Sequence, residues 1–252
     1  MVLATCLFSC MSPKKEEVKD VDQNGWVRTK GTLVNGHRQG YFEDFYKNGV
    51  LRMAANWEQG QIEGNYSEYF TNGNLKVKGV IVDGQLNGPN EKYDSLGNSS
   101  WVMYANGEKT GVEELKDKTR IITDKIYYSE EGGHILYQEK LTVLEDVKER
   151  ILFPVLGDND NILKLGIANL FTIHLVEAPV CKVTMVIGKE DKQGAFTPIG
   201  KGTSKDNKTF TYIFKPNQSG PGVLSFKMVH SKSPQDKISV ADGVFQFEYD
   251  VE

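Results

Sequence analysis

The chain has 252 residues, 39% of them hydrophobic and 25% charged, with a net charge of −4. That is ordinary for folded protein, and the mild negative charge gives no reason to expect nucleic acid as the partner. No stretch approaches the roughly 18 consecutive apolar residues of a membrane-spanning helix. The three cysteines, Cys6, Cys10 and Cys181, are an odd number without metal-ligand spacing, so neither a disulfide framework nor a zinc site is expected.

Residues 1–23 open with MVLATCLFSC and continue into the charged tract SPKKEEVKDVDQNG. The apolar run ending in Leu7-Phe8-Ser9-Cys10 resembles the lipobox of bacterial lipoproteins, in which a small residue precedes the cysteine that is acylated. The resemblance implies lipidation at Cys10, a flexible tether up to residue 23, and a protein anchored at the cell envelope. No Lys or Arg precedes Cys10. Without acylation, the segment reads as an unstructured cytosolic N-terminus.

From residue 24 the sequence repeats. Asn24-Gly25, Asn48-Gly49 and Asn72-Gly73 lie 24 residues apart and Gly97 continues the series; Gly36, Gly60 and Gly84 form a second column, and Gly40, Gly64 and Gly88 a third. Asn106-Gly107 and Gly111 fall one residue short, so the fourth unit has lost a residue. Asn-Gly is a strong hairpin signal because both residues tolerate positive φ, so each unit reads as a β-hairpin and the series as an antiparallel sheet. Period-two alternation places Val27, Thr29, Gly31 and Leu33 on one face, followed a unit later by Leu51, Met53, Ala55 and Trp57. Leu75, Val77, Gly79 and Ile81 come next, then Ser99, Trp101, Met103 and Ala105. Aromatic columns stand at Phe45, Tyr69 and Tyr93 and at Phe42 and Tyr66. Arg28, Lys30, Arg52, Lys76 and Lys78 alternate with the apolar positions. They are expected to form basic rows on the other face, a candidate anion-binding surface or a solvated polar face.

Units such as GYFEDFYKNGVLRMAANWEQG resemble MORN repeats of the bacterial type, with YYSEEGGHILY at 127–137 similar to one more degenerate unit. The unit containing KYDSLGNSS departs from that pattern, with Asp94 where an aromatic residue is usual. The resemblance implies a twisted antiparallel sheet over residues 24–137 used for contact with proteins or membrane surfaces, and no catalytic activity.

Residues 138–152, QEKLTVLEDVKERIL, read as a connector, a strand or a short helix. Over 153–252 the turn-rich segments KEDKQG, TSKDNK and PNQSGPG separate apolar runs at 170–176, 182–187, 209–215, 222–228 and 243–249, the pattern of a β-sandwich. NILKLGIANLFTIHL is similar in style to immunoglobulin-like modules of Bacteroidota envelope proteins, without an antibody-type Cys…Trp…Cys signature. The expected fold class is all-β, a hairpin repeat sheet followed by an Ig-like sandwich.

The four histidines fall in no metal or catalytic spacing, and no nucleophile elbow or phosphate-binding loop is present. Cys181 lies in a strand-like run and reads as a buried thiol. We therefore expect no enzyme and no cofactor, but a lipid-anchored envelope protein that binds envelope proteins or an anionic membrane surface. Two alternatives are a cytosolic antitoxin-like inhibitor that masks a protein partner and a polysaccharide hydrolase with an acidic pair not evident in sequence.

Overall fold

The computed structural model describes residues 13–130, 132–157, 162–179, 181–230 and 237–252. The described residues form strands and turns without a helix. The chain divides into two units, Met1–Lys109 and Thr110–Glu252. The lipidation candidate Cys10 lies outside the described residues.

The first unit is an antiparallel sheet of β1 (Lys15–Val21), β2 (Val27–Val34), β3 (His37–Phe45), β4 (Leu51–Glu58), β5 (Gln61–Tyr69), β6 (Leu75–Val82), the two-residue β7 (Gln85–Leu86), β8 (Gly88–Tyr93) and β9 (Ser99–Ala105). The expected tether therefore gives way to a strand at Lys15–Val21, paired with β2 from Lys15↔Val34 to Val21↔Val27. Its charge obscures the strand pattern in the sequence, and on an outermost strand charge also discourages pairing with other chains.

Two kinds of turn alternate. Asn35-Gly36, Gln59-Gly60, Asp83-Gly84 and Asn106-Gly107 have positive φ at both residues, the two-residue turn that matches strand twist. At Asn24-Gly25, Asn48-Gly49 and Asn72-Gly73 only the glycine has positive φ. The N–H groups of Gly25, Gly49, Gly73 and Gly97 donate to the carbonyls of Asp22, Tyr46, Phe70 and Asp94. The asparagine serves instead as a side-chain cap, with Asn48 Oδ1 accepting the Val50 N–H at 3.1 Å and Asn72 Oδ1 the Asn74 N–H at 3.0 Å. Where the loop opens on aspartate, that residue takes over the cap: Asp94 Oδ1 accepts the N–H groups of Leu96 and Asn98, each at 2.9 Å. The departure at Asp94 thus conserves the turn's hydrogen bonding.

Just past each of the first three of these turns, one residue of the outgoing strand has no partner. Arg28 is skipped between Val21↔Val27 and Asp20↔Thr29, Arg52 between Phe45↔Leu51 and Asp44↔Met53, and Lys76 between Tyr69↔Leu75 and Glu68↔Val77. These are β-bulges. The fourth hairpin has none, since Tyr93↔Ser99 is followed by Lys92↔Ser100. The missing residue of that unit is its bulge. Losing it shifts the pleat by one, because side chains alternate faces at every residue. Val102 and Tyr104 are therefore buried, at 2% and 9% exposure, and the expected inward residues Trp101 and Met103 face outward.

The row of paired positions through Phe42, Ala55, Tyr66, Gly79, Asn90 and Val102 marks the buried face. Small residues alternate there with large ones. A Cβ on Gly79 would sit 2.5 Å from Asn90 Nδ2 and 3.0 Å from the Tyr66 ring, so glycine makes room for the neighbouring side chains.

The second unit begins within β10 (Glu108–Lys116) and continues with β11 (Ile122–Tyr128), β12 (Ile135–Leu141) and β13 (Val147–Leu152). These are two further hairpins of the same kind, their turns spaced close to the 24 residues of the earlier units. Arg120 donates its N–H to Asp117 O and Glu145 to Thr142 O, and Thr123 and Lys148 are the bulge residues. Residues 138–152 thus belong to a hairpin, and do not form a connector. β13 pairs in parallel with β21 (Ile238–Val240), and Leu152 is fully buried in the sandwich core, which joins these hairpins to the C-terminal part.

The sandwich sets a sheet of β14 (Val155–Leu156), β16 (Asn169–His174) and β19 (Thr209–Phe214) against one of β15 (Ile162–Leu163), β22 (Phe245–Val251), β20 (Gly222–His230), β17 (Val183–Glu190) and β18 (Phe196–Lys201). The split first strand, parallel to the last through β15–β22, gives an Ig-like arrangement. Phe171 of the smaller sheet meets Phe247 of the larger at 4.8 Å, and Phe210, Met185, Ile187 and Leu224 fill the space between. Cys181 is a free, buried thiol. β18 contains Pro198 and lies at the end of its sheet, where a missing N–H is tolerated.

Candidate functional site

Arg28, Arg52 and Lys76 stand at equivalent bulges, as the spacing predicts. Each is engaged by a carboxylate of the preceding strand: Arg28 with Asp20 at 3.2 Å, Arg52 with Asp44 at 3.4 Å and Lys76 with Glu68 at 3.1 Å. Lys30 pairs with Glu43 at 3.6 Å and Lys78 with Glu91 at 2.7 Å. Glu43 and Asp44 are neighbours on β3, so their side chains leave opposite faces, and the two basic rows serve different faces. The expected single stripe is thereby divided and internally compensated. The bulge supplies the physical reason: it breaks the alternation that would align Arg28 with Lys30.

Around Asp44 the pairing becomes a cluster. Arg38 donates Nη1 and Nη2 to the two Asp44 oxygens, 3.0 Å each, a bidentate fork. The same guanidinium lies 4.7 Å from the ring centres of both Phe42 and Trp57, which meet edge to face at 6.4 Å. Burial alone would push the Asp44 carboxyl upward. Hydrogen bonds from Arg38 and Thr29 and the charges of Arg38 and Arg52 outweigh it and hold the group below the usual aspartate value. The repeat contains a clue to this cluster that sequence reading missed. Aligned by 24, Arg38 corresponds to Ile62 and Leu86, so a charge stands where the next two units have an apolar residue.

A groove of about 630 Å³ opens beside this cluster, at the tight turn of the first hairpin, with Trp26, Arg28, Asp20, Arg38, Asp44 and Arg52 in its walls. On the Lys78 face, a groove of about 210 Å³ is lined by Val80, Pro89 and Trp101 beside the Lys78–Glu91 pair. Met103, which pairs with Pro89, is 37% exposed and Trp101 38%.

No family model matches the chain, and no curated protein does.

In the second unit, Arg150 bridges Glu139 at 2.6 Å and Glu177 at 3.0 Å and lies over the Tyr137 ring, which stacks on Tyr127 at 4.1 Å. Tyr127 donates its hydroxyl to Glu139 at 2.9 Å. Burial, together with that bond and the Glu139 charge, pushes its phenol up to about 12. Among the described residues the buried carboxylates Asp44, Glu113 and Glu139 all have Arg or Tyr partners. No three His, Cys, Asp or Glu side chains among the described residues gather as metal ligands would. His230 is tied through Nε2 to Val240 O at 3.0 Å, and His174 lies on the Ig-like β16 strand.

Proposed function

We propose that the chain is a non-enzymatic binding or scaffold protein of the bacterial cell envelope, a MORN-type repeat sheet with an Ig-like module, tethered by acylation at Cys10. It contacts protein partners through the Lys78 face of its repeat sheet. The observation that carries this reading is the apolar patch of Val80, Pro89, Trp101 and Met103, with two large side chains more than a third exposed on a strand whose other face is already buried. Contiguous apolar surface of this kind, rimmed by polar groups, is characteristic of contact sites. The pairing of Lys30 and Lys78, the cations of this face, favours protein over an anionic membrane as the surface it meets, since those charges already have partners. The engagement of the buried carboxylates by arginine or tyrosine favours binding over glycoside hydrolysis, which needs one carboxyl free to donate a proton.

The test is fractionation of native cells producing the full gene product, together with a Cys10→Ala variant and a Trp101→Ser/Met103→Ser variant. The reading expects the wild-type protein in the membrane fraction, release or blocked processing of Cys10→Ala, and a membrane-bound double variant that loses its co-purifying protein. A soluble wild-type product complexed with a cytosolic protein would favour the antitoxin-like alternative.

A further inference from the structure

A second surface, independent of the proposed docking face, carries its own chemistry. The groove at the first tight turn belongs wholly to the first unit and combines a half-exposed indole with an array of guanidinium and carboxylate groups. Trp26 is 47% exposed, and among the described residues its ring stacks on no other aromatic. An indole left bare at the mouth of a groove offers a flat apolar plane to a ligand.

The polar walls are only partly used by the protein. Arg28 reaches Asp20 through Nε at 3.2 Å, and its side chain is 62% exposed. Arg52 reaches Asp44 through Nη2 at 3.4 Å and is 50% exposed. Both therefore retain N–H donors in the planar geometry that matches a carboxylate. Arg38 is different: both its terminal nitrogens are committed to Asp44, so it holds the wall rigid.

A stacking plane flanked by hydrogen-bonding groups suits a ring with an apolar C–H face and hydroxyls around its rim, and the spare guanidinium donors select a carboxylate on that ring. We propose that this groove binds a carboxylate-bearing saccharide, with Trp26 as the platform and Arg28 and Arg52 as the carboxylate contacts. A polyphosphate strand fits less well. Asp20, Asp22 and Asp44 share the groove with the arginines, and three carboxylates oppose closely spaced phosphates while tolerating one carboxylate and several hydroxyls.

Titration calorimetry of the full chain with an oligogalacturonate, with the neutral galactose oligomer of equal length and with a single-stranded oligonucleotide tests the assignment. The uronate should bind, the neutral oligomer at least about tenfold more weakly, and the uronate affinity should fall as salt is raised. Trp26→Ala and Arg28→Gln/Arg52→Gln should each lower uronate affinity about tenfold or more with circular dichroism unchanged. Lys78→Gln, paired with Glu91 on the other face, should leave it as in wild type. The proposal is overturned if wild type fails to bind the uronate at millimolar concentration, if the groove variants bind as wild type does, or if only the oligonucleotide binds in a groove-dependent way. Each of these results leaves the docking reading of the Lys78 face untouched, because that face shares no residue with the groove.

Discussion

Replacing Asp44 by alanine removes the anion that Arg38 was folded around. The carboxylate is 6% exposed and receives two 3.0 Å bonds from a guanidinium held between Phe42 and Trp57. Breaking a buried ion pair by deleting one partner costs about 3–5 kcal/mol, because the remaining charge is stranded. Arg38 keeps 28% of its side chain in solvent and can recover part of its hydration, so the expected loss is about 2 kcal/mol. Urea unfolding followed by tryptophan fluorescence measures it, and Trp26, Trp57 and Trp101 all lie in the first unit, so the signal reports that unit alone. Lys76→Gln is the control: it deletes an exposed pair with Glu68 and should cost less than about 0.5 kcal/mol. If Asp44→Ala costs no more than that control, the cluster is incidental and the reasoning fails. A double-mutant cycle with Arg38→Met isolates the coupling between the two side chains.

Because the folded-state pKa of Asp44 lies below its ordinary 3.8, its contribution to stability is complete above that value and disappears as pH falls through the lowered one. Wild type should therefore lose its stability advantage over Asp44→Asn in strong acid, and an advantage that persisted after protonation would be contrary. Inserting one residue between Ser99 and Ser100 restores the 24-residue spacing as a bulge and should change the urea midpoint little. The same insertion between Val102 and Met103 turns a buried side chain outward and should cost about 2 kcal/mol or more. Arg120 and Glu145 hold φ of 68° and 62° where the earlier units have glycine. Arg120→Gly and Glu145→Gly should each stabilise the second unit by about 0.5 kcal/mol, once glycine's greater unfolded-state freedom is subtracted from the relief of strain; calorimetry reads the shift, and a lower melting temperature would be contrary.

The glycine columns and aromatic spacing made the hairpin array legible, and the turn-separated apolar runs located five strands of the sandwich. The extent of the array was harder to see, because its last two units replace the turn glycine by Arg120 and Glu145 and carry their cap on Asp117 and Thr142. The first strand was hidden by its charge. Counting forward from Asn-Gly assigned Trp101 and Met103 to the buried face; counting back from Asn106-Gly107 gives Val102 and Tyr104, the residues the structure buries. The two counts differ by one bulge residue, and sequence alone does not say on which side of a strand a deletion falls. Ion pairing was likewise invisible: the basic columns are plain in the sequence, but Asp20, Asp44 and Glu68 become their partners only through strand register.

Site-specific photo-crosslinking in native cells tests the central claim most directly. A benzophenone side chain placed at Met103, on the proposed docking face, should give an adduct of one discrete mass that a second probe at Pro89 reproduces and that a probe at the exposed turn residue Lys47 does not. Identical crosslinking patterns at Met103 and Lys47, or no adduct from Met103 and Pro89 in cells where the protein is abundant, would contradict the assignment of this face to a partner.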